Sequence, residues 1–142
     1  MSKEKILIAS DHAGFELKEQ IKNHFLNYEW DDLGTDSKER VDYPDFAKKL
    51  CNELLEKNEA HFGLLICGSG QGMAITANKF PNIRAALCWS KESAELSRSH
   101  NNANVLALGE RLTDKKLALE IVKQFLTTEF EGGRHQDRIE KI

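Results

Sequence analysis

The run Gly63-Leu64-Leu65-Ile66-Cys67-Gly68-Ser69-Gly70-Gln71-Gly72-Met73-Ala74-Ile75 passes through three kinds of local structure. Gly63–Cys67 is short and apolar nearly throughout, as a strand covered on both faces should be. Glycines at alternate positions then make a turn, and Met73-Ala74-Ile75 enters a helix. A buried strand leading through a tight turn into a helix belongs to a parallel sheet with crossover helices.

The same alternation repeats outward from that run. Further strands are expected at Lys5–Ala9, Glu29–Leu33, Ile83–Cys88 and Asn104–Leu108. Between them, Leu17, Ile21, His24 and Phe25 fall at i, i+4, i+7 and i+8. Ala47, Leu50, Cys51, Leu54 and Leu55 make a fuller apolar stripe, and Leu117, Ile121, Val122 and Phe125 a third. Pro44 suits a first helical turn, and Ser90 suits an N-cap. Glu131-Gly132-Gly133-Arg134-His135 reads as a joint followed by a short helix too polar for a core. The expectation is one domain over 1–142: a three-layer, Rossmann-like α/β fold with a five-stranded parallel sheet. Residues 132–142 form a C-terminal helical arm that reaches over something else.

Length and composition bound the rest. A chain of 142 residues with 40% hydrophobic and 30% charged residues can bury a core without disulfides or structural metal. A net charge of −3, with Lys and Arg spread along the chain, argues against nucleic acid as a partner. Cys51, Cys67 and Cys88 are odd in number and lack C-x-x-C spacing, which disfavours a disulfide framework and structural zinc. Such thiols suit a reducing compartment. The start, Met1-Ser2-Lys3-Glu4-Lys5, leads into a very short apolar run, Ile6 to Ala9. No signal peptide, membrane span or membrane partner is expected, and the cytoplasm is the default location.

In open parallel sheets, ligands bind beyond the carboxyl ends of the strands. After the first strand comes Ser10-Asp11-His12-Ala13-Gly14, after the third Cys67-Gly68-Ser69-Gly70-Gln71-Gly72, and after the fifth Gly109-Glu110-Arg111. The fourth helix ends in His100-Asn101-Asn102. All these polar groups are expected to gather on one rim. The glycine turn lets backbone N–H groups point at an anion, helped by the helix dipole. A dinucleotide fingerprint would need glycine where Met73 stands, and the Walker A lysine is absent, so no nucleotide cofactor is expected. An oxyanion hole remains.

Cys67 sits where strand becomes turn, and a helix N-terminus there would lower its thiol pKa. It reads as a base or nucleophile, whereas Cys51 and Cys88 read as core. Asp11 fits a helix cap and, paired with His12, a substrate contact. His100 fits a favourable charge at a helix end and a proton shuttle beside a sugar ring. Arg134 and Arg138, four apart on one helix face, could form a phosphate clamp with Arg111.

Taken in order, the chain resembles the type B ribose-5-phosphate isomerases, within a wider family that includes galactose-6-phosphate isomerase subunits. The likeness rests on Ser10-Asp11-His12-Ala13-Gly14-Phe15, Asp42-Tyr43-Pro44-Asp45, Cys67 to Gly72, Ala77-Asn78-Lys79-Phe80 and Ile83-Arg84-Ala85. It continues through Ser97-Arg98-Ser99-His100-Asn101, Asn104-Val105-Leu106-Ala107 and Glu131-Gly132-Gly133-Arg134-His135. The resemblance implies interconversion of ribose 5-phosphate and ribulose 5-phosphate through an enediolate, a step of the pentose phosphate pathway. Cys67 then resembles the base between C2 and C1, and His100 the residue assisting ring opening, with Asp11 and Tyr43 in the sugar site. Gly68, Ser69, Gly70, Gln71 and Gly72 resemble the anion hole, with Ser69 where many relatives carry Thr. Asn101 resembles a sugar-hydroxyl contact. His12, Arg111, Arg134 and Arg138 resemble phosphate contacts, the last two reaching a partner subunit's site in a homodimer or tetramer. No cofactor and no metal are implied, and no His/Asp/Glu cluster shows metal spacing. A hexose 6-phosphate isomerase (allose or galactose 6-phosphate) is the alternative, because the motif residues serve the carbonyl end and the phosphate equally well. A receiver-like signalling domain would want an acidic cluster after the first strand; a phosphosugar-binding regulator would lack isomerisation.

Overall fold

The computed structural model describes residues 3–56 and 59–142. Met1 and Ser2, which open the charged start read above, lie outside the described residues. Five parallel strands form one sheet in the order β2-β1-β3-β5-β4. They are β1 (Glu4–Ser10), β2 (Tyr28–Asp32), β3 (Ala60–Cys67), β4 (Ala85–Leu87) and β5 (Val105–Gly109). The helices are α1 (Phe15–His24), α2 (Tyr43–Glu56), α3 (Gln71–Ala77), α4 (Lys91–Ser99), α5 (Lys115–Thr127) and α6 (Arg134–Ile139).

Strand period two sorts the apolar residues into two cores. Ile6, Ile8, Leu64, Ile66, Leu106 and Leu108 face Leu17 and Ile21 of α1, Ala94 of α4, and Ala118, Ile121, Val122 and Phe125 of α5. Leu7, Ala9, Leu65, Cys67, Val105 and Ala107 face Ala47, Leu50, Cys51 and Leu54 of α2, and Met73 and Ala77 of α3. The three central strands are therefore apolar on both faces, which is why they read as continuous runs. Each large side chain so buried contributes about 1.5–3 kcal/mol. Ser90 caps α4 as expected, with Ser93 completing a capping box.

β4 is shorter than the expected Ile83–Cys88. It is an edge strand paired only with β5, and side chains take the backbone N–H groups at its start. Arg84 N–H donates to Asn104 Oδ1 and Ala85 N–H to Asn78 Oδ1, so the ladder begins late. β2, the other edge, is half-exposed and carries Glu29, Asp31 and Asp32. Asp32 receives hydrogen bonds from Lys18, whose side chain is 1% exposed, and from Lys22. Among the described residues, no helix is long and apolar enough to cross a membrane.

Strand direction separates the polar groups into two sets. The turns after β1, β3 and β5 lie together at the carboxyl edge of the sheet. α4 joins two parallel strands, so it runs back and ends at their amino edge. There the Arg84 guanidinium, just before β4, donates to the carbonyl oxygens of Asn101 and Asn102. His100-Asn101-Asn102 thus do not join the rim of their own chain, contrary to the expectation above. The last turn of a crossover helix must lie at the end opposite to the strand tips it connects.

Candidate active site

At the carboxyl edge a cavity of about 420 Å³ opens between the turns, lined by Asp11, His12, Ala13, Tyr43, Cys67, Gly68, Ser69, Gly72, Arg111 and Leu112. Its size suits a small polar ligand. β1 ends at Ser10, and Asp11 makes a tight cap: its Oδ1 accepts from the N–H groups of Ala13 and Gly14, at 3.0 and 3.1 Å. Both readings of Asp11 are therefore compatible, since it caps a short 3-10 turn and also lines the cavity. The His12 ring is held by one nitrogen, Nδ1, which lies 3.2 Å from both the backbone nitrogen and the carbonyl oxygen of Val41.

β3 delivers Cys67, which is 4% exposed. Gly70 follows at φ +79°, a left-handed conformation that favours glycine, and its N–H donates to Cys67 Sγ across 3.2 Å. The turn lies flat on β5: a methyl on Gly109 would sit 2.5 Å from the Ser69 carbonyl carbon. Backbone bonds lock the two strand ends together, from Glu110 N–H to Cys67 O and from Arg111 N–H to Gly68 O. The Arg111 side chain consequently lies over Gly68, and the Tyr43 ring packs on Gly72. Ser69 Oγ accepts from Gln71 N–H at 3.4 Å. Gly70 and Gln71 shape the turn without lining the cavity, Gly70 being buried and Gln71 exposed.

The other two thiols belong to the cores. Burial pushes Cys51 up to about 12 and raises Cys88 as well, leaving both protonated and inert at neutral pH.

The remaining expected residues stand at the amino edge. The His100 ring stacks on that of His135, with centroids 4.1 Å apart and planes 13° from parallel. Glu131 lies beside both, its Oε1 3.5 Å from His135 Nε2 and its Oε2 4.0 Å from His100 Nε2. Burial first, then the charges of His100 and Arg134, lower the pKa of His135. Arg134 and Arg138 are exposed on α6, and Asn101 lines a separate groove beside Trp89 and Leu96.

Two supports of the cavity have roles that the sequence does not show: Glu110, expected on the rim without one, and Val41. Glu110 Oε1 accepts from Leu17 N–H at 2.7 Å, tying the end of β5 to the start of α1. Val41 steadies His12 from a loop with no motif of its own. Glu110 had a visible signal, an acidic residue at a strand end beside Arg111; Val41 had none.

The sheet order defines a Rossmann-like α/β protein, and the thiol, imidazole and guanidinium converging where three strand tips meet mark a candidate site on its carboxyl rim. The ribose/galactose isomerase family matches residues 6–142, and the chain belongs to that family. It is 46% identical over 140 residues to ribose-5-phosphate isomerase B of Escherichia coli, covering 97% of this chain and 93% of that one. A solved ribose 5-phosphate isomerase from Thermotoga maritima superposes with TM-score 0.95 at 56% identity, covering 99% and 97% of the two chains. Ribose-5-phosphate isomerase B from Mycoplasma genitalium, solved with bound ribulose 5-phosphate, gives TM-score 0.91 at 42% identity over 96% and 92%.

Proposed function

We propose that this chain is an isomerase interconverting D-ribose 5-phosphate and D-ribulose 5-phosphate through an enediolate, with Cys67 as the base. One observation carries the reading. Cys67 meets Asp11, His12, Tyr43 and Arg111 around one small cavity, in a chain whose solved relatives bear that activity in their names.

The chemistry needs an opened sugar, a base beside the carbonyl, donors for the developing oxyanion, and a grip on the remote phosphate. The Cys67 thiolate, steadied by Gly70 N–H, takes the C2 proton of the open aldose. Electrons move onto O1, giving the enediolate; the hydroxyl proton then passes from O2 to O1, and the same thiol returns its proton to C1 as the O2 electrons close the C2 carbonyl of the ketose. Ser69 Oγ and those backbone N–H groups of the turn not already given to Cys67 Sγ and Ser69 Oγ stabilise the oxyanion, a role worth about 10²–10³ in rate for one donor. His12 and Arg111 hold the phosphate, with Asp11 and Tyr43 against the sugar.

The rest of the machinery comes from a second copy. His100, Asn101, Arg134 and Arg138 gather at the amino edge, away from their own Cys67, and a two-fold dimer can set that edge over a partner's rim. In this reading His100 assists ring opening, Asn101 contacts a hydroxyl, and the arm's arginines complete the phosphate site. The chain works as a single domain in the cytoplasm, and neither metal nor cofactor takes part, because base and oxyanion donors are all organic.

The same residues would serve a hexose 6-phosphate, and the family description names galactose beside ribose. Turnover should be compared on ribose 5-phosphate and on allose and galactose 6-phosphates, all with chelator present. The expected result is preference for the pentose with full chelator resistance. No isomerisation of any of the three would leave a phosphosugar-binding domain; loss restored by one divalent ion would defeat the metal-free mechanism.

A further inference from the structure

The geometry points to a second site at the amino edge: His100, Glu131 and His135 form a binding site for a borderline divalent cation of the zinc class. Sequence spacing had shown no ligand set, because His100 lies far from the other two along the chain. Folding brings them together. Glu131 N–H donates to Ser99 O at 3.0 Å, which fixes Glu131 beside the end of α4. Gly132 and Gly133, at φ +73° and +59°, turn the chain so that His135 arrives flat against His100.

One ligand atom from each residue then lies within 4.8 Å of the other two. The two imidazole nitrogens approach different oxygens of the same carboxylate, so all three donors converge on one region. His135 is 5% exposed, and its Nε2 is buried with no hydrogen-bond partner among the described residues. Glu131 Oε1, at 3.5 Å, is too far for a good bond. The buried Nε2 of His135 faces the Glu131 carboxylate, while the two rings lie face to face, so His100 must turn out of the stack for its Nε2 to reach the same ion. His100 and Glu131 are 38% and 58% exposed and can move inward, which is what closing to bonds of about 2.0–2.2 Å requires.

Two imidazoles and one carboxylate match a three-ligand zinc site with an open position. Arg134 and Arg138 stand on the same short helix and oppose any cation held by charge alone. Coordination to imidazole must therefore carry the binding, which favours zinc, cobalt or nickel over magnesium or calcium. On the reading of His100 given above, the ion withholds that imidazole from ring opening, so zinc inhibits the enzyme.

The experiment is zinc titration by calorimetry on chelator-stripped protein, with cobalt as a visible probe. Wild type and Cys67→Ala should each bind one zinc per chain. Glu131→Gln, at an exposed position, and His135→Gln, with its fold checked by circular dichroism, should lose affinity by about tenfold or more. The cobalt spectrum should show ligand-field bands without a thiolate charge-transfer band. Absence of saturable zinc binding, or binding lost in Cys67→Ala and kept in both tail variants, would overturn the site. Zinc should also inhibit turnover in wild type and not in Glu131→Gln. Tail-dependent binding without inhibition would uphold the site and count against His100 in ring opening.

Discussion

The N–H of Gly70 donates to Cys67 Sγ across 3.2 Å, so the glycine turn that follows β3 also holds the thiol at its end. The turn thereby fixes in place the sulfur that the proposed mechanism uses as its base. Cys67→Ala should therefore abolish isomerisation while binding of an unreactive sugar phosphate stays within a few-fold. Losing the base removes transition-state chemistry, not ground-state contacts. Near-normal kcat in that variant would remove Cys67 from the mechanism. Cys51→Ala and Cys88→Ala should retain activity and lose about 1 kcal/mol each in urea denaturation, as small cavity-forming changes.

Gly70→Ala tests the turn itself. The φ of +79° costs a residue with a side chain about 1–2 kcal/mol, and the new methyl would sit 2.6 Å from Leu87 Cδ1 and 2.9 Å from the Leu108 carbonyl carbon. Since β5 backbone cannot yield, the turn must shift and carry its N–H away from Cys67. A lower urea midpoint together with a fall in kcat larger than any rise in KM is the expected pattern. A destabilised variant with unchanged kcat would show that the hydrogen bond to sulfur is dispensable.

Much of this was legible before the fold was known, for physical reasons tied to particular residues. Ile6–Ala9, Leu64–Cys67 and Val105–Leu108 are buried on both faces, and such runs have few alternatives to a central parallel strand. The rim assignment of Asp11, Cys67 and Arg111 followed from strand direction alone. β4 was overestimated because Asn78 and Asn104 cap its start through side chains, a tertiary event. The place of His100 was misjudged because a helix end was treated like a strand end. Lys18, next to Leu17 on α1, gives no sign in the sequence that it will be buried and paired with Asp32 and Glu19. The stack of His100 on His135 needs the turn at Gly132-Gly133, and no periodicity encodes it.

Asp32 makes a pH prediction. Burial works to raise its pKa, but hydrogen bonds from Lys18, Lys22 and the Gly34 N–H outweigh it, leaving the carboxyl below its usual value. A depressed folded pKa contributes stability that is full above the unfolded value of about 3.9 and is lost as pH falls through the folded one. The consequence reaches the site, because Gly34 O accepts from the Ser10 N–H, immediately before Asp11. Asp32→Asn should cost about 2 kcal/mol at neutral pH, less than a sealed ion pair since Glu19 remains 3.4 Å from Lys18. It should also flatten the decline of stability below about pH 4. Denaturation midpoints across that range decide it; parallel curves for the two proteins would show that Asp32 is not the titrating group.

Two sets of residues at opposite edges of one sheet lead to a final prediction. Cys67, His12 and Arg111 line the carboxyl rim, whereas His100, Arg134 and Arg138 belong to the amino edge and the arm. If a two-fold dimer joins one chain's rim to its partner's arm, Cys67→Ala and Arg138→Ala damage the same site from different chains. Each variant alone should be inactive or nearly so. In a symmetric mixed dimer, one site collects both lesions and the other collects neither. Random exchange of equal amounts makes about half the dimers mixed, so about a quarter of all sites become native. Turnover in the mixture should rise to about a quarter of the wild-type value per site, and the rise should track subunit exchange followed by mass spectrometry. Sites built within one chain would each keep a lesion whatever the pairing. Verified exchange without recovered turnover would place Cys67 and Arg138 in the same chain's site.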